Sequence, residues 1–315
     1  MKMRKPWLIL LTAGLICLLC TNLYILFLRF HVKGEVHPPS AMEAKQDEYV
    51  KSIISDKNNP ETEYNEQNSD ELTEIEAGQL PDSNVFVREV PLQLESEMQD
   101  HLEQFRRKAR LLYQEFPESF LISMESSEKT IALTFDDGPD ASSTLEVVNI
   151  LNEYGIPGTF FLIGEQIERY PDTVKAIADG GHSLGNHSWS HIRPTDISPE
   201  AVMDEVDKAE QQLASYGAAA KLYRPPYGLV NRSQMPMLIE AGYRIVSWSV
   251  DSMDWYFEKP EQIVSCVIEN AHPGAIVLMH SSGGRNNRRA AIEALPIIIE
   301  TLLDEGYRFV GLGSN

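Results

Sequence analysis

The chain has 315 residues, with 47 acidic against 27 basic side chains and a formal net charge of −20. That balance excludes nucleic acid as a partner, because phosphate binding needs clustered lysine and arginine. Three cysteines, Cys17, Cys20 and Cys266, supply no disulfide framework, and Cys266 reads as a small core residue.

Residues 7–28 carry no charged side chain. A helix of that length rises about 33 Å at 1.5 Å per residue, enough for a hydrocarbon core of about 30 Å. Lys2, Arg4 and Lys5 precede it, and Arg29 and Lys33 follow. The slight asymmetry predicts a cytoplasmic tail (1–6) and an exported remainder. The run is longer than a signal-peptide core and no small-x-small site follows it closely. An uncleaved transmembrane signal anchor over 7–28 is therefore expected.

Residues 43–76 hold eleven acids and three bases. So little apolar surface cannot offset the entropy of ordering, and 29–90 is expected to be a disordered acidic linker. Between 92 and 114, Leu94, Met98, Leu102, Phe105 and Leu112 recur near helical spacing. They predict a helical lead-in within 91–128 that packs on the following domain or forms a dimer contact.

From Lys129 the pattern alternates between strand and helix. "TIALTF" (130–135) precedes a helix over 143–155, and "GTFFLI" (158–163) precedes one through "IERYPDTVKAIADGG". "HSLGNH" (182–187) is a short strand or loop, followed by a helix capped at Ser198 with Pro199 at its first position. "LYR" (222–224), "YRIVSWSV" (243–250) and "GAIVLMH" (274–280) read as further strands, and "RRAAIEALPIIIETLLDEG" as a helix bent at Pro296. Repeated β–α units predict an α/β fold with a parallel sheet, either doubly wound or closed as a barrel. Both place active sites at the C-terminal strand ends. Asp136 and Asp137, His187, Arg224, Asp251 and His280 follow five such strands.

Those residue types suggest one chemistry. His187 and His191 in "HSWSH" are i and i+4, so a helical turn would aim both imidazoles at one point. With Asp137 they would offer zinc or a similar divalent ion two nitrogens and an oxygen, with positions left open. Asp136 would then act as the base, taking a proton from water beside the cation. Arg224 would pair with Asp136 and keep it ionised. In "YRPPYG" (223–228) two prolines fix the direction of the Tyr227 N–H, a donor suited to an oxyanion. His280, paired with a carboxylate such as Asp251, would carry a proton to the leaving group. Metal, base, oxyanion donor and acid together describe hydrolysis of an amide or ester.

"TFDDGP", "HSWSH", "RPPYG", "DSMDW" and "IVLMH" occur in the order and rough spacing of the polysaccharide deacetylases, which the region 129–312 resembles. This is the NodB-homology or carbohydrate esterase family 4. The resemblance implies a distorted (β/α) barrel and a metal-dependent N-deacetylase, a hydrolase of non-peptide carbon–nitrogen bonds. It implies Asp136 as base, Asp137, His187 and His191 as ligands of zinc (or cobalt, nickel or manganese), and His280 as acid. By the same resemblance Arg224 would orient Asp136, Asp251 would tether His280, and the Tyr227 amide would help hold the oxyanion. Trp255 and Leu278 would wall the sugar and acetyl pocket, and Asp254 is expected to have a structural role. Asp137 is present where some relatives carry Asn, whereas Ser281 stands where many carry Asp. With the anchor and linker, the expectation is a membrane-tethered, extracellular deacetylase of N-acetylglucosamine in peptidoglycan. N-acetylmuramic acid, poly-N-acetylglucosamine, acetylated xylan and a non-catalytic glycan-binding wall module are the alternatives.

Overall fold

The computed structural model describes residues 96–218 and 221–313. The expected cytoplasmic tail (1–6), signal anchor (7–28) and acidic linker (29–90) lie outside the described residues. Among those described, no helix is long and apolar enough to cross a membrane.

The lead-in is helix α1 (Ser96–Glu115). Strand β1 (Phe120–Leu121) follows, then β2 (Thr130–Asp136), α2 (Ser143–Tyr154) and β3 (Thr159–Leu162). Next come α3 (Gly164–Arg169), α4 (Pro171–Asp179), β4 (Ser183–Asn186) and α5 (Pro199–Leu213). The remainder is β5 (Leu222–Tyr223), α6 (Met235–Glu240), β6 (Arg244–Val246), β7 (Val250–Asp251), α7 (Pro260–Ile268), β8 (Ala275–His280), α8 (Arg289–Asp304) and β9 (Arg308–Phe309). Two predicted helix boundaries have visible causes. The Ser198 hydroxyl accepts the Ala201 N–H at 3.3 Å to cap α5, and Gly155 ends α2 at φ 63°, a conformation that suits glycine.

All strand pairs are parallel, in the order β1-β6-β5-β4-β3-β2-β8-β7, with β9 also on β2. The sheet curls as a partly closed barrel. The predicted strand 243–250 is two strands, because β6 pairs with β1 and β5 whereas β7 pairs with β8. At the break, the carbonyls of Val246, the last residue of β6, and of Ser247 accept hydrogen bonds from the Arg224 side chain. The predicted helix through 167–181 is likewise two, α3 and α4, meeting at Tyr170 before Pro171.

Side chains alternate across this sheet as strand geometry requires. Ile131, Leu133 and Phe135 of β2, and Ala275, Val277 and Met279 of β8, pack outward with apolar residues of α2, α7 and α8. Ala132 and Ile276 face inward with Phe161, Leu222 and Val246. The same alternation sends Asp136 and His280 inward at the C-terminal end, where they are register partners.

Candidate active site

Asp136 is the last residue of β2 and only 4% exposed. Its Oδ1 accepts a hydrogen bond from Arg224 Nη1 at 2.8 Å. Arg224 is fully buried, lies against the Phe161 ring, and also donates to Thr134 and to the carbonyls of Val246 and Ser247. The expected pairing of Arg224 with Asp136 is what the structure shows. Ser281 takes no part in the pocket: it is buried, and its backbone and hydroxyl both donate to the Asp136 carbonyl.

Asp137 would point outward if β2 continued. Instead its φ is 70°, which turns the carboxylate back towards His187 and His191. Its Oδ1 lies 3.5 Å from His187 Nε2 and 3.2 Å from His191 Nε2. Donors bound at about 2.0–2.1 Å in a tetrahedral arrangement stand about 3.4 Å apart, so the three residues fit one small cation. They are the group of potential ligands that the described residues bring together. His187 Nδ1 donates to the Arg224 carbonyl at 2.7 Å, which fixes the orientation of the ring and presents Nε2 to the pocket. Burial pushes His191 below the ordinary imidazole pKa despite the pull of Asp137. Burial alone would raise Asp137, but the hydrogen bonds from both histidines hold it well below the usual carboxylate range.

The histidines converge, although not on a helical turn. Residues 187–191 form a loop with Ser188 and His191 at positive φ. Its shape comes from Asn186, whose Oδ1 accepts the Ser188 N–H at 2.9 Å, and from Glu205 on α5. Glu205 accepts from the Trp189 and Ser190 N–H groups and the Ser190 hydroxyl at 2.7–3.1 Å.

The expected partner of His280 is corrected. His280 Nδ1 is 2.7 Å from Asp254 Oδ1, and its backbone N–H donates to Asp254 Oδ2 at 2.8 Å. Asp251 accepts from the Met253 N–H and the Trp255 indole instead. The cause is the turn at Met253, φ 56°, which swings Asp254 over the end of β8 while Asp251 closes the turn beneath it. Burial works against a charged His280, yet the Asp254 carboxylate outweighs it and raises the imidazole pKa. The same pairing lowers Asp254 against its own desolvation. With Nδ1 engaged, His280 presents Nε2 to the pocket.

Arg288 opens the run predicted as the last helix. It is 3% exposed, with φ 56° at the N-terminus of α8. Its guanidinium donates to the Ser282 and Asp254 carbonyls and to Asp137 Oδ2, the last at 3.4 Å. "RNNRR" (285–289) offered only a basic run as a signal. Tyr227, Trp255 and Leu278 line the same pocket as the two aspartates, the metal set and His280. The Tyr227 ring meets His191 edge-on at 4.8 Å.

Residues 123–246 match the family pattern of polysaccharide deacetylases. The chain is 37% identical over 199 residues to a peptidoglycan-N-acetylglucosamine deacetylase of Bacillus cereus, covering 62% of this chain and 71% of that protein. It is 30% identical over 247 residues to the peptidoglycan-N-acetylmuramic acid deacetylase PdaC of Bacillus subtilis, covering 75% of this chain and 50% of that one. A crystal structure of the Bc1960 peptidoglycan N-acetylglucosamine deacetylase superposes with a TM-score of 0.58 at 36% identity. That match covers 61% of this chain and 89% of the other.

Proposed function

The chain belongs to the polysaccharide deacetylase family of hydrolases, and from that premise we propose that it removes acetyl groups from N-acetylglucosamine in peptidoglycan. The observation that carries the reading is one buried pocket holding two supported titratable groups beside a cation-sized cluster. Asp136 is gripped by Arg224, His280 by Asp254, and Asp137, His187 and His191 line the same pocket.

A divalent cation, zinc by its donor set, would supply positive charge that polarises the acetyl carbonyl and makes water more acidic. Asp136 takes the proton as water attacks the carbonyl carbon, and Arg224 holds the carboxylate in place for that transfer. The Tyr227 N–H donates to the oxygen on which charge develops. His280 gives its Nε2 proton to the sugar nitrogen as the carbon–nitrogen bond breaks, and Asp254 stabilises the imidazolium beforehand. Acetate and a free amino sugar leave. A purely glycan-binding module needs neither the base nor the acid.

The choice of N-acetylglucosamine is supported by the names of the Bacillus cereus protein and of the superposed structure. The uncharged run 7–28 supports an extracellular catalytic domain tethered to the membrane. The test is acetate release by the zinc-loaded full chain from peptidoglycan and from N-acetylglucosamine oligomers, with mass spectrometry of the digested glycan. Release should stop with chelator or with Asp136→Asn. Full activity of Asp136→Asn would overturn the mechanism, and deacetylation confined to N-acetylmuramic acid would overturn the choice of sugar.

A further inference from the structure

Helix α1 precedes the range that matches the family pattern, yet it reaches the pocket. Met98, Leu102, Phe105, Ala109 and Leu112 follow a four-then-three spacing that puts them on one helix face. The face docks in two places. Met98 and Leu102 pack with Met253 and Cys266, under the turn that delivers Asp254. Ala109 and Leu112 join the cluster around Phe120, Tyr223 and Ile245. At the C-terminal end Glu115 holds Arg232 at 2.7 Å.

Between those anchors the helix crosses the mouth of the sheet. His101, Leu102 and Phe105 line the pocket that contains Asp136, Asp137 and His280. Phe105 stacks on Trp248, with centroids 4.7 Å apart and planes 18° apart. Both rings close over the turn that carries Tyr227. A Cβ built on Gly228 would come within 2.5 Å of Trp248 and 2.7 Å of Phe105.

We propose that α1 is a wall of the glycan cleft and that Phe105 and His101 determine specificity by positioning the sugar beside the reacting acetamido group. The lining chemistry suits a pyranose. The Phe105–Trp248 pair offers a rigid apolar surface to ring C–H groups, and half-buried His101 offers a polar contact to hydroxyls. The proposal rests on the functional reading above.

Its test separates the two. Kd for an N-acetylglucosamine hexamer and the kinetics of acetate release are measured on the zinc-loaded full chain, wild type and His101→Ala, Phe105→Ala and Phe105→Tyr. Phe105→Ala and His101→Ala should each raise Kd and KM, about tenfold for the ring, while kcat changes by less than about threefold. Phe105→Tyr should return both constants to within about twofold of wild type. Unchanged Kd and KM in both alanine variants overturn the proposal, with or without a fall in melting temperature. If wild type binds the hexamer but releases no acetate, the functional reading fails and the Kd ratios alone decide for or against the wall. If it binds no glycan, both fall.

Discussion

Replacing Arg224 by methionine tests the support of the base. The guanidinium has no exposed surface, and it donates to Asp136 at 2.8 Å, Thr134 at 2.8 Å and the Val246 and Ser247 carbonyls at 3.1 Å. Methionine keeps an apolar stem against Phe161 and removes every donor. The Asp136 carboxylate, 4% exposed, is left as a buried charge without its cation. Removing one partner of a buried pair costs about 3–5 kcal/mol, because the survivor is not compensated. For a domain of about 200 residues, where 1 kcal/mol moves Tm by about 2–4 °C, the expected fall is about 6–20 °C. Arg224→Met/Asp136→Asn discharges the stranded carboxylate and should be more stable than Arg224→Met alone. Arg224→Lys should fall between wild type and Arg224→Met, since a point charge cannot replace a planar fork of donors. Calorimetry and denaturant titration of the full chain read all four proteins. A loss below about 1 kcal/mol in Arg224→Met, or a double variant less stable than the single, would refute the reasoning.

Three further outcomes are expected. Asp254→Asn removes the charge that raises His280, so the alkaline limb of the kcat/KM profile should move to lower pH, whereas Asp251→Asn should leave that limb in place. The reverse ranking would restore Asp251 as the tether. Arg288→Met frees Asp137 Oδ2 from its donor, and zinc affinity by titration calorimetry should fall about 10–100-fold; an unchanged isotherm would exclude that support. His182, 6% exposed, accepts the Gly158 N–H at 3.1 Å, and burial pushes its pKa from 6.5 to about 4. Its folded-state pKa is depressed, so its contribution is complete above pH 6.5 and is lost as pH falls towards about 4. The full loss is about 3 kcal/mol at 1.36 kcal/mol per unit. The stability curve of His182→Gln should be flatter across that window, and a curve parallel to wild type would contradict the assignment.

The sequence was legible where one local rule decided the outcome. The apolar runs at 130–135 and 274–280 read as buried parallel strands, and Asp136 after the first and His280 at the end of the second face the pocket because side chains alternate. Ser198 and Gly155 marked helix ends by their own chemistry. Legibility stopped where a distant group decided. The run 243–250 looks like one strand until a buried arginine takes two of its carbonyls. Arg288 looks like surface charge until the turn before it points the side chain inward. The face of α1 was visible as a stripe, but nothing in the stripe says that its middle lies over a catalytic pocket.

Backbone conformation also explains how adjacent acids come to hold different partners. Eight non-glycine residues among the described ones have positive φ: Asp137, Ser188, His191, Tyr227, Met253, Asn286, Asn287 and Arg288. Each sits in a motif loop at the pocket or in the turn that delivers Arg288. Such conformations cost about 1–3 kcal/mol apiece and persist only where surrounding contacts impose them. Here Glu205 and Asn186 hold the histidine loop, and Asp251 closes the turn at Met253. The consequence for "TFDDGP" is direct. A regular strand would put Asp136 and Asp137 on opposite faces, but one left-handed residue returns Asp137 to the side where Asp136 already faces. Asp136 takes its direction from the sheet and Asp137 takes its own from the turn, so neighbouring carboxylates reach the pocket by different routes and can hold different partners, Arg224 and the two histidines.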